Sequence, residues 1–501
     1  MLVRACSLSV RPLPWEMVTF DVDIVETQHY ARRIVSSLRE TEGDRKMLVN
    51  DVSSVDGNKA KENYKLRTPG SAELWERASR LFPQGVSGQA KYFNPYPIFV
   101  DSARGPFIYD VDGVEYVDLL MGAGPLLLGH GHPAVVGAIR DQAGRMLNPM
   151  MPTRQSIEFG ERLQGHMPHL ERLRFVNTGS EATRTAVRVA RAATGRTKIA
   201  KFEGNYHGSD DAFLVSTHST KLGGTPERPI PVLDYAGLSP RLLDETVVLP
   251  YNNARDAAAI IAEHGDELAA VIMEPVSFSS GGGIPATREF AAAVRRATSE
   301  NGIVLIFDEV LCALRLGLAG APAYLGVVPD LVAIGKAVGG GMPLAAIGGR
   351  ADLMDATLGP QAGDRKIFQS GTFTENPLSV AAGAAALTVL ETEDALARAD
   401  AAGEHLRTGL RALFQSHSVV AAVTGVGSIV QMHMGVSTVA NRREVLSGDP
   451  ARTAELMLGF VGDGVLWPPV HPAVTSSAHE LSHIDRVLEV VDRQLSLGLG
   501  S

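Results

Sequence analysis

The chain has 501 residues, 45% of them hydrophobic and 21% charged, with a formal net charge of −9. The length suits two domains, or one large domain with a smaller one, of ordinary globular composition. Net acidity without a long Lys/Arg run excludes nucleic acid as the main partner; no stretch reaches the roughly 18 apolar residues of a membrane span. Cys6 and Cys312 are too few and too distant for a disulfide framework or a structural zinc site, and read as reduced thiols of a cytoplasmic protein.

Residues 1–65 are charged and lack a clear period. Three readings stay open for them: a poorly ordered leader, a lineage-specific arm, or an overlong start with the true one at Met17 or Met47. From about Ser71 a helical pattern runs to Leu81 and closes at Phe82-Pro83-Gln84-Gly85. Residues 107–119 alternate around Asp112-Gly113, a hairpin signal because glycine supplies the positive φ of such turns. Gly129-His130-Gly131-His132-Pro133 leads into a helix; no carboxylate or cysteine completes a ligand set in that stretch, so no metal is expected.

The run 173–176 turns through Thr178-Gly179-Ser180 into a helix whose apolar positions share one face. Free amides, a hydroxyl and the positive dipole end suit a phosphate there, although plain N-capping explains the same residues. Lys201 to Gly208 carries Tyr206, placed to lay its ring on a planar cofactor or simply to line a loop, and His207, a polar neighbour. Residues 219–240 are proline-rich and aperiodic, a long surface loop or an active-site cover. Residues 268–273 form a buried strand ending in Glu274.

Two further apolar runs carry the chemistry. Residues 303–307 end in Asp308-Glu309, and residues 331–334 end in Gly335-Lys336, 28 residues beyond Asp308. Unbroken runs of this kind are strands buried on both faces of a parallel sheet, and their carboxyl ends are where such sheets bind ligands. An aspartate beside a ring nitrogen and a lysine able to form an imine are what pyridoxal phosphate requires. Beyond them lie a turn-rich segment at 368–377, an alanine-rich helix over 378–391, strands near 419–423 and 428–434, and a last helix near 480–495. The expected domains are a leader (1–65), a segment joining the small domain (66–120), a large cofactor-binding domain (121–377) and a C-terminal small domain (378–501).

At these residues the chain resembles the class III pyridoxal-phosphate aminotransferases, in particular the glutamate-1-semialdehyde 2,1-aminomutase-like group, over roughly residues 70–495. The resemblance rests on 175–182, 202–208, 307–310, 329–336, 339–343, Gly371-Thr372 and Asn376-Pro377. It implies the fold type I aminotransferase architecture, an α/β large domain with a mostly parallel central sheet plus a smaller α+β domain. It further implies that Lys336 holds the cofactor as an imine and shuttles the substrate's proton, that Asp308 pairs with the pyridine nitrogen, that Gly179 and Ser180 bind the phosphate, and that Tyr206 stacks on the ring. Thr372 would reach the cofactor phosphate of the other subunit in a homodimer with shared sites.

The substrate-facing positions depart from the aminomutase. Lys91 stands where that group has an arginine, and a lysine cannot clamp a carboxylate through two parallel hydrogen bonds. His471 stands where it has a glutamate, Ser279 where an amide or acid is usual, and Cys312-Ala313 where Thr-Gly is usual. The first expectation is therefore transamination between a small amino donor and a keto acid or aldehyde acceptor. Intramolecular amino transfer is the alternative, and a non-catalytic fold relative the third reading.

Overall fold

The computed structural model describes residues 57–360, 362–467 and 471–498. Ser54–Ser501 form one compact unit; the other unit, Met1–Ser53, lies outside the described residues, as do Cys6 and the readings given to the leader up to residue 56. Within the sequence-drawn leader, Gly57–Arg67 is a helix. Its Tyr64 is fully buried and donates to the Tyr96 carbonyl at 2.7 Å. The following helix is Pro69–Ala78, shorter than its pattern. Pro83 holds Phe82 extended, and Leu81 is left exposed.

A seven-stranded sheet organises the fold. Its strands in spatial order are Arg172–Val176, Ala345–Gly349, Leu331–Ile334, Val304–Glu309, Leu268–Met273, Lys198–Phe202 and Thr246–Leu249. Only Ala345–Gly349 runs against the rest. That strand has no counterpart in the sequence reading; it exists because Gly340 and Gly341, with φ of +59° and +98°, reverse the chain just after Lys336.

The unbroken apolar runs are explained by cover on both faces. Leu305 and Phe307 point to a core shared with helices Ala254–Glu263 and Arg288–Glu300, while Val304 and Ile306 point to one shared with helix Gly179–Thr194. Side chains alternate across the strand, so burial on both sides demands apolar residues at every position.

A smaller antiparallel sheet, Ala421–Thr424, Ile429–Met434 and Ala473–Val474, packs with helices Ala395–Ser416, Pro450–Gly462 and Leu481–Ser496 around Phe414, Phe460 and Trp467. The early hairpin, Phe107–Asp110 with Glu115–Asp118, turns through Gly113 at φ +78°, and Asp110 Oδ1 accepts the Asp112 and Val114 amides at 3.0 and 2.8 Å. Its second strand pairs in parallel with Val465–Leu466, far along the chain. No described helix is long and apolar enough to cross a membrane.

Candidate active site

The strands deliver their acids and the lysine to one rim. Asp308 pairs with Ala333 across the ladder, and the neighbouring strand ends at Ile334, two residues before Lys336. Both side chains line a cavity of about 410 Å³, with Gly179, Ser180, Tyr206, His207, Glu274 and Phe278 among the other walls. Lys336 takes a left-handed φ of +49°, a conformation that non-glycine residues adopt at a cost and that the surrounding glycine turn imposes.

One end of the cavity is formed by a helix N-terminus, whose free amides and dipole suit an anion. Helix Gly179–Thr194 begins with a capping box in which Thr178 and Glu181 bond each other's backbone. The Gly179 and Ser180 amides precede the helix's own hydrogen-bond ladder and face the cavity end of its dipole. Gly208, at φ +102°, presses against this turn: a Cβ there would sit 2.3 Å from Ser180 Oγ, and one on Gly179 would sit 2.5 Å from Val310. Any side chain at either position would push into its neighbour. The Ser209 amide donates to Ser180 Oγ at 3.2 Å.

The other end is acidic and desolvated. Asp308 is buried; its Oδ2 lies 2.7 Å from His207 Nδ1, and its Oδ1 accepts the Val310 amide at 3.1 Å. Burial holds His207 below its ordinary pKa, so the neutral ring donates through Nδ1, and its buried Nε2 has no hydrogen-bond partner. Glu274 accepts the Tyr206 amide at 2.9 Å, and its own backbone is held by Asn205 Oδ1. Burial, with Asp308 adding to it, pushes the Glu274 carboxyl up to about 8. Burial lowers the Lys336 amine, against the pull of Glu274 and Asp308. The lysine is therefore more easily deprotonated than one in water.

Glu309, next along the strand, points away into the protein, where Oε2 accepts the Ala321 amide at 2.7 Å and Oε1 has no partner. Burial raises it from 4.5 to about 8. Between those values the folded chain keeps a proton that the unfolded chain has lost, so stability falls as pH rises through that window. Glu309→Gln is expected to narrow the drop in unfolding free energy between pH 5 and pH 8 by about 1–3 kcal/mol. Denaturant titration at both pH values checks this; an unchanged drop would rule it out.

Of the residues expected from sequence, Gly179, Ser180, Tyr206, Asp308 and Lys336 come together around the cavity. Thr372 does not line it: the residue is exposed, and its carbonyl accepts from Asn148 Nδ2 at 3.0 Å. Lys91 is not brought in either; it ends a short 3₁₀ turn, Gln89–Lys91, with its side chain exposed. His471 sits behind the wall, with its ring edge-to-face on Phe278 at 4.6 Å. Sequence reasoning gave no site role to His207, Glu274 or Phe278. The signal for Glu274 was present, a third buried strand closing on an acid, and His207 directly follows Tyr206, which also lines the cavity. Nothing in the sequence marked Phe278.

The family described as Aminotransferase class-III matches residues 89–491. Glutamate-1-semialdehyde 2,1-aminomutase of Methanocella arvoryzae is 37% identical over 430 residues, 85% of this chain and 98% of that protein. Six further curated relatives bearing that name are 35 to 38% identical. Among solved structures, an omega-transaminase from Sphaerobacter thermophilus superposes with a TM-score of 0.81 at 34% identity, covering 86% of this chain and 99% of that one. A transaminase with PLP bound gives 0.78 at 32% identity, covering 86% and 99%.

Proposed function

Because the chain belongs to the class III aminotransferases, with pyridoxal phosphate as its cofactor, we propose that it moves an amino group between neighbouring carbons of one small substrate. The observation that carries amino transfer is the convergence of Lys336, Asp308 and the Gly179–Ser180 turn on one cavity. The intramolecular form takes its support from the name that the curated relatives share. A second reading, transamination between two molecules, is favoured by the walls: Lys336 is the only lysine or arginine among the residues lining the cavity. Among the described residues lining the cavity, none but Lys336 carries a positive charge that could pair with a substrate carboxylate. The test supplies glutamate-1-semialdehyde alone. Isomerisation without an added donor or acceptor supports the first reading; dependence on a second carbonyl compound transfers the support to transamination, and neither reaction ends both.

Bound pyridoxal phosphate supplies an aldehyde that captures amines and a ring that accepts electron density from the reacting carbon. In this reading the Gly179 and Ser180 amides and the Ser180 hydroxyl hold its phosphate, with the helix dipole behind them. Asp308 would hold a positive charge at the ring nitrogen, with His207 fixing that carboxylate's orientation, and Tyr206 would cover the ring. Lys336, its amine less basic through burial, takes a proton from one substrate carbon and returns it to another. Glu274 keeps its proton near neutrality, which limits the negative charge facing Lys336.

A second copy of the chain completes the proposal. Leu147, Met150, Met151, Phe368 and Phe373 expose large apolar side chains. They sit on two segments tied together by Asn148 with the Thr372 carbonyl and by Asn376 with the Leu147 carbonyl. A patch of this kind on both copies suits a self-complementary contact and would carry Thr372 to the partner's site. Light scattering that finds only monomers would remove this part.

A further inference from the structure

We propose that Phe278 is a specificity-determining residue, whose fixed ring limits the bulk of the group borne by the reacting carbon and requires that group to be apolar. The inference rests on the amino-transfer reading above. Phe278 is 1% exposed, lines the cavity, and has its ring centroid 5.5 Å from Lys336 Nζ. Among the described residues, no other aromatic ring has that amine over its face.

The ring belongs to a loop that cannot swing freely. Asn205 Nδ2 donates to Ser277 Oγ at 2.7 Å at the start of the loop. The rest is gripped from the smaller sheet and its neighbours. Arg442 Nη1 donates to the Ser280 carbonyl at 2.6 Å, and Thr424 Oγ1 and His433 Nε2 reach the Gly282 carbonyl at 2.7 and 3.0 Å. Gly282, at φ +91°, packs so closely that a Cβ would lie 2.7 Å from the His433 ring. His471 closes the back of Phe278 edge-to-face. Burial, with Lys336 adding to it, lowers His471 to about 3, so this support stays uncharged.

The chemistry of the wall follows. Pro125, Leu311, Met342 and Leu344 extend the apolar lining. A carboxylate placed against it would lose its hydration beside the negative face of a phenyl ring, with only the reacting lysine to pair it. The substituent that fits is compact and uncharged, and any carboxylate of the substrate must project away from Phe278.

The test uses the full-length, cofactor-loaded protein with Phe278→Ala and the milder Phe278→Leu. Isopropylamine, 2-aminobutane and 1-phenylethylamine serve as donors of rising bulk, followed by the change in the cofactor's visible spectrum. The matching alcohols, which bind without reacting, give dissociation constants by calorimetry. Opening the wall is expected to raise preference for the phenyl over the isopropyl compound by roughly tenfold or more in Phe278→Ala, in both the reaction and the binding series. Phe278→Leu should fall between, and the visible band of the resting enzyme should persist. An intact band with the binding preference moved less than twofold in both variants, whether or not the amines react, overturns this inference alone. A wild-type chain that takes up no cofactor overturns the amino-transfer reading and this inference with it.

Discussion

Lys336→Ala is expected to abolish amino transfer, with turnover falling by at least about 10⁴-fold, while the chain stays folded. Lys336 is the one group in the cavity able both to bond an aldehyde covalently and to carry a proton, so no neighbour can replace it. Glu274 and Asp308 share the cavity, but Glu274 is held near a pKa of about 8 and bonded to the Tyr206 amide, and Asp308 is engaged by His207. Stability should change little. The lysine amine is desolvated and accepts that cost for function, and alanine inherits the same left-handed φ without adding to it. The check is threefold: loss of the visible band that marks lysine-joined cofactor, loss of turnover, and a melting temperature within a few degrees of wild type. Retained turnover would mean that another amine does this work.

How much of this was legible beforehand depended on whether a signal was local. The runs leading to Asp308, Glu274 and Lys336 could be read because a strand covered on both faces is mostly apolar, so a polar residue at its carboxyl end stands out. The Gly179–Ser180 turn could be read from its capping residues. Phe278 could not, since its meaning comes from Lys336, 58 residues away, and from Arg442, His433 and His471, which are farther still. Ala345–Gly349 was missed for a related reason. Its direction is set by two left-handed glycines and by strand partners on both sides, not by its own composition. Lys91 was placed by its motif neighbours, and these said nothing of where the short turn Gln89–Lys91 leaves the side chain, which is exposed in a single copy of the chain.

Asp308→Asn is the second large expected effect, a fall in turnover of roughly 10²- to 10³-fold, the scale of removing one preorganised electrostatic contact. The substitution keeps size and removes charge, but it also breaks the local hydrogen-bond count. Asp308 accepts one donor at each oxygen, His207 Nδ1 at 2.7 Å and the Val310 amide at 3.1 Å. An asparagine has a single acceptor oxygen, so one of these buried donors must face an NH₂ group. That mismatch costs about 1–3 kcal/mol and should appear as a lower melting temperature even without cofactor. His207→Gln separates the two contributions: it leaves the carboxylate charge in place and loosens only its orientation, so turnover should fall roughly tenfold. If Asp308→Asn lost stability but kept wild-type turnover, the carboxylate would be a structural anchor for the His207 loop, and its assignment to the ring nitrogen would be wrong.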